Sequence, residues 1–121
     1  MRIRIAVILG FWVFAFSQQI PYFLTPENDL EEVLPYLPPG SRVYLDEGVY
    51  QVNLFLANKE LIIIGAGAEK TILEPKNPDK PVIDVFNSNI KLFKVTIKGG
   101  AVGLDIYNSQ VLVRNVNFIE N

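Results

Sequence analysis

Ile83-Asp84-Val85-Phe86-Asn87-Ser88-Asn89-Ile90 returns 21 residues later as Leu104-Asp105-Ile106-Tyr107-Asn108-Ser109-Gln110-Val111. Asp, Asn and Ser recur identically, and every other pair keeps its chemical class. Such self-similarity at a fixed offset marks a repeat architecture. The register persists through Val95-Thr96-Ile97 against Val116-Asn117-Phe118, so alternate apolar residues stay in phase across the unit. Upstream, Leu56-Ala57-Asn58 and Leu61 match Val85-Phe86-Asn87 and Ile90 at an offset of 29. The eight additional residues are expected in Glu74-Pro75-Lys76-Asn77-Pro78-Asp79-Lys80-Pro81, a loop too rich in Pro and charge to form a strand. About three coils are visible in this way.

One coil of short strands cannot bury its apolar side alone. Stacking equivalent strands about 4.8 Å apart pairs their backbones and joins those sides into one core. Asn58, Asn87 and Asn108 would then stack at one corner, where Asn tolerates left-handed backbone and its amide can bond the next coil. Ordinary turn asparagines are the plainer reading.

Toward the N-terminus, Val43 and Leu45 alternate with Arg42 and Tyr44, and Val52, Leu54 and Leu56 alternate with Gln51, Asn53 and Phe55. This period of two predicts strands with one buried side. Asp46-Glu47-Gly48 separates them as a turn, and Leu61-Ile62-Ile63-Ile64 supplies a more continuously apolar strand before Gly65-Ala66-Gly67. Before these, Thr25 as N-cap and Pro26 at the first helical position open a short helix through Leu30, Val33 and Leu34. Pro35 ends it, and Pro38-Pro39-Gly40 turns the chain into the first strand.

The helix, Pro38-Pro39-Gly40, Val43-Tyr44-Leu45, Gly48-Val49-Tyr50 and Leu61-Ile62-Ile63-Ile64-Gly65-Ala66-Gly67 together resemble the pectate-lyase-like right-handed β-helix superfamily, over about residues 27–121. The resemblance implies an all-β, right-handed, single-stranded parallel β-helix with a short N-terminal capping helix. Members of that superfamily include polysaccharide lyases, hydrolases, esterases, epimerases and non-enzymatic surface proteins, so these motifs specify a fold and not an activity.

Residues 1–17 read as a signal peptide: Arg2 and Arg4 precede an apolar run over 5–16, with small residues at Ala15 and Ser17. Cleavage is expected between Ser17 and Gln18. Those 12 apolar residues reach roughly 18 Å as a helix, short of the roughly 30 Å of hydrocarbon a stable span must cross. A signal-anchor or a buried N-terminal helix is the alternative. The expected organisation is therefore a signal peptide over 1–17, a capping segment over 18–40 and β-helix coils over 41–121, in a periplasmic or extracellular protein without a stable membrane span after cleavage.

The mature part would carry nine basic against 13 acidic residues, a net charge of −4, which argues against nucleic acid as a partner. With no Cys and no His, disulfides, thiol nucleophiles, imidazole bases and the usual zinc ligands are excluded. Gly65-Ala66-Gly67-Ala68-Glu69-Lys70-Thr71 looks like a phosphate loop but has Glu69 where Gly must precede the Lys, so a tight coil turn is expected.

Asp84 and Asp105 should point outward on equivalent strands, because Ile83, Val85, Leu104 and Ile106 face the core. Two neighbouring carboxylates could bind Ca²⁺, or one could hold a proton for acid/base work; a solvated acidic face relieved by Lys91, Lys94 or salt is the plainer reading. Pectate-cleaving members of the superfamily also use a basic residue as base, and no Arg or Lys here matches that role. Phe86 and Tyr107 occupy the next outward positions, where aromatic rings can bind sugars or simply stabilise the sheet. Phe55 falls on the Asp row and breaks the pattern in the first coil.

The expected ligand-binding residues are thus Asp84, Phe86, Asp105 and Tyr107, with no catalytic or metal residue assigned and no cofactor beyond an optional Ca²⁺. The expected function is an exported, non-catalytic β-helix module contacting a polysaccharide or another cell-envelope component. The alternatives are the N-terminal part of a carbohydrate-active enzyme with its groove on later coils, and a structural solenoid that self-associates end to end through its open C-terminal coil. The sequence stops at Phe118-Ile119-Glu120-Asn121 in mid-coil without a polar cap, which suggests a longer natural protein, an end used in association, or a truncated frame.

Overall fold

The computed structural model describes residues 20–121; the expected signal peptide and its cleavage point lie outside the described residues. Ten strands follow one another as β1 (Pro21–Leu24), β2 (Ser41–Leu45), β3 (Gly48–Gln51), β4 (Leu54–Ala57), β5 (Glu60–Gly65), β6 (Thr71–Glu74), β7 (Ile83–Phe86), β8 (Asn89–Lys98), β9 (Leu104–Tyr107) and β10 (Gln110–Ile119). Every pairing between them is parallel. From β2 onward consecutive strands are not neighbours; each strand meets its counterpart one coil later, which is the topology of a parallel β-solenoid.

Three sides result. The first stacks β1, β2, β5 and the opening halves of β8 and β10. The second stacks β3, β6 and the closing halves of β8 and β10. The third stacks β4, β7 and β9. Strands β8 and β10 turn the corner between the first two sides without a break because Lys94 (φ 62°) and Asn115 (φ 54°) take left-handed backbone in mid-strand.

Five turns are present, the first and last incomplete, where the sequence showed about three. The difference lies partly in β1. Pro21–Leu24, expected only to belong to a cap, pairs with Arg42, Val43, Tyr44 and Leu45 as a strand of its own. The helix also begins later than expected. Residues 25–28 form a turn, closed by the Asn28 N–H donating to Thr25 O at 2.9 Å and the Thr25 N–H donating to Asn28 Oδ1 at 2.8 Å. Asp29 is the N-cap, its carboxylate accepting from the Glu31 N–H at 3.0 Å, and α1 runs Leu30–Val33. Pro35 then tightens the chain into one 3₁₀ turn over Leu34–Tyr36. Leu30 and Leu34 are fully buried beside β4, so this segment covers the first end of the core as a cap should.

The core is one file of inward side chains, including Val43, Leu45, Leu56, Ile63, Val85, Leu92 and Ile97, all at most 2% exposed. Each such burial contributes roughly 1.5–3 kcal/mol. The offset of 29 between Leu61 and Ile90 falls to 24 between Ile72 and Thr96, and to 21 between Ile83 and Leu104. Five of the eight additional residues therefore sit in the turn at 66–70 and three in the Pro-rich loop, a correction to the expectation that the loop held them all. That turn is tight rather than phosphate-cradling: the Gly67 carbonyl accepts from the Lys70 and Thr71 N–H groups at 2.9 and 3.0 Å. Gly65 is required, since a Cβ there would lie 2.1 Å from the Lys94 carbonyl oxygen. Among the described residues no helix is long and apolar enough to cross a membrane.

Candidate functional site

The third side carries the residues singled out from the repeat. Strand geometry alternates side chains, so the buried Ile83 and Val85 force Asp84 and Phe86 outward. On β9, Asp105 and Tyr107 follow by register, but Leu104 is only half-buried and Ile106, expected in the core, is 45% exposed, because among the described residues no strand pairs with β9 on its far side. Asp84 and Asp105 are direct partners in the β7–β9 ladder, as are Phe86 and Tyr107. The two rings stack with centroids 5.2 Å apart and planes 5° from parallel. Phe55 pairs with Asp84, and Ala57 with Phe86, so the aromatic row stops at a small residue one coil earlier. Phe55, 60% exposed, lies in the adjoining row beside Asp84.

The corner after these strands is rigid. Asn58, Asn87 and Asn108 adopt φ of 57°, 50° and 49°. The Asn108 amide donates to Asn87 Oδ1 at 2.6 Å. Beside them, Ser88 Oγ accepts from the Lys59 N–H and Ser109 Oγ from the Ser88 N–H, both at 2.9 Å. Each coil's corner therefore holds the next, which fixes where the preceding Phe86 and Tyr107 project.

The carboxylate of Asp84 is held above the usual aspartate range, first by partial burial and then by the nearby charge of Asp105. Among the described residues no three or more acidic side chains come together in a way that could hold a metal ion, so the pair stands as two carboxylates on an open sheet surface.

One neighbouring feature had no signal in the repeat. A cleft of about 420 Å³ lies between α1, the 3₁₀ turn and β4, lined in part by Glu31, Phe55, Lys76 and Lys80. Glu31 shapes it through two contacts: Lys76 Nζ pairs with its Oε1 at 2.8 Å, and the Asn53 N–H donates to its Oε2 at 2.9 Å. These residues come from three unrelated segments, so no spacing along the chain could have gathered them. The stacked Phe86 and Tyr107, by contrast, follow directly from the 21-residue offset.

No protein-family model matches the chain, and no curated protein matches it either.

Proposed function

We propose that this chain is an exported, non-catalytic β-helix module of the pectate-lyase-like kind, which holds a glycan or another cell-envelope polymer against its third side. The observation that carries the reading is the parallel stack of Phe86 and Tyr107 at 5.2 Å, displayed on a rigid sheet with Asp84 and Asp105 in the adjoining row. Aromatic rings offer large apolar contact to the C–H faces of a sugar, and outward carboxylates accept hydrogen bonds from its hydroxyls. The ring edges and the uncovered faces of the stack, with the carboxylates in the adjoining row, form one contact patch along the coils.

Affinity electrophoresis through gels containing neutral or acidic polysaccharides tests this. Retardation by at least one polymer is expected, with Tyr107→Ala weakening it about tenfold, the effect of losing roughly 1.4 kcal/mol, and Tyr107→Phe keeping most of it. If no polymer retards the chain in a way that Tyr107→Ala weakens, the reading is overturned.

A second reading, part of a polysaccharide-cleaving enzyme, is favoured by the raised pKa of Asp84 beside Asp105. It requires cleavage activity that Asp84→Asn abolishes, whereas a binding module shows no cleavage and keeps its Tyr107-dependent affinity.

A further inference from the structure

The first side of the solenoid has its own chemistry, opposite in sign to the ladder just described. Its outward positions form two rows across the coils. One runs Pro21, Arg42, Ile62, Lys91, Leu112, and the other Phe23, Tyr44, Ile64, Phe93, Arg114. Glu60, at the margin, is the one carboxylate on these strand segments. Between the rows lies a groove of about 450 Å³ lined by Arg42, Ile62, Ile64, Lys91, Phe93, Leu112 and Arg114.

Three properties of the groove select a ligand class. Arg42, Lys91 and Arg114 are all exposed, and the one ion pair among the described residues is Lys76 with Glu31, so none of the three has a carboxylate within 4.0 Å. Arg42 and Arg114 are three coils apart, roughly 14 Å along the stack at about 4.8 Å per strand, so no single small anion reaches all three cations. The floor of Ile62, Ile64 and Phe93 is half-buried rather than protruding, which suits a chain lying in the groove.

We infer that this groove is a second binding site, independent of the acidic ladder, for an anionic polysaccharide: a chain whose carboxylates or sulfates meet Arg42, Lys91 and Arg114 while its C–H faces cover Ile62, Ile64 and Phe93. The cations supply attraction and register through charge complementarity, and the apolar floor supplies contact. Two adjacent sheets of one solenoid then each hold a polymer through different chemistry.

The experiment compares dextran with dextran sulfate and carboxymethyl-dextran as probes for the full chain, in affinity electrophoresis at low and high salt. The sulfated or the carboxymethylated polymer is expected to retard the chain, dextran itself much less, with the difference shrinking in high salt. The triple variant Arg42→Gln, Lys91→Gln, Arg114→Gln should weaken retardation at least tenfold. Lys70→Gln, Lys80→Gln, Lys98→Gln, which removes the same charge elsewhere, should weaken it less than threefold. Circular dichroism confirms that both variants keep the fold; Tyr107→Ala should leave this retardation unchanged, which separates the groove from the ladder. Equal losses in the two triple variants, no retardation by either charged polymer, or binding to phosphatidylglycerol vesicles without binding to the polymers would each overturn the inference.

Discussion

Tyr50 shows how a single side chain locks the first turns together. It is only 2% exposed, and its hydroxyl donates toward the carbonyls of Asp46 at 2.8 Å and Leu24 at 3.3 Å, tying β3 to the end of β1 and to the turn after β2. Burial, reinforced by the charge of Asp46, pushes its pKa from 10.0 up to about 12. The unfolded chain therefore releases this proton first as pH rises, so the stabilisation is complete below pH 10.0 and is lost between there and about 12. Urea melts across this range should show stability falling with pH. Tyr50→Phe should be less stable by about 1 kcal/mol at neutral pH and should lose most of that alkaline slope. Nearby, Thr71 serves the same end: fully buried, it accepts from the Ala66 N–H at 2.9 Å and faces the carbonyls of Leu45 and Asp46, so three adjacent segments share one hydroxyl.

Among the elements, the corner between the third and first sides was the most legible from the chain alone. Asn recurs there because left-handed backbone costs other L-residues about 1–2 kcal/mol, and on the last two coils the Asn108 amide also bonds Asn87. Asn87→Ala should thus destabilise by about 2 kcal/mol, while Asn87→Gly, which relieves the backbone but not the lost bond to Asn108, should cost about half as much in thermal or urea melts. Strand β1 was missed although its partners lie at the same 21-residue offset: Phe23 meets Tyr44 and Leu24 meets Leu45, but the match is only four residues long and directly precedes the apparent helix start, so it read as part of the cap. The helix start was misplaced because Thr25 and Pro26 resemble a cap, yet the turn at 25–28 spends them first; Pro26 then packs so closely on Gly48 that a Cβ there would approach Pro26 Cγ to 2.4 Å. The aromatic and carboxylate rows of β7 and β9 were readable because 21 residues separate every pair. The basic groove was not, since Arg42, Ile62, Lys91 and Leu112 follow at unequal spacings of 20, 29 and 21.

Across the whole molecule, a short chain gains two chemically distinct surfaces by winding. The interior is shared by all coils, so outward positions are released from packing and can differ from side to side: carboxylates and stacked rings on one, unpaired cations over an apolar floor on another. Both proposed sites exist only if the coils stack in this register, because a slip of one residue would turn Asp84, Phe86, Lys91 and Phe93 into the core. The direct test is nuclear Overhauser contact between backbone protons in isotope-labelled chain. Parallel stacking predicts contacts linking Asp84 with Asp105 and Phe86 with Tyr107, 21 residues apart, and linking Leu56 with Val85, 29 apart. Antiparallel contacts between sequential strands, or contacts displaced by one residue, would contradict the fold and remove both surfaces with it.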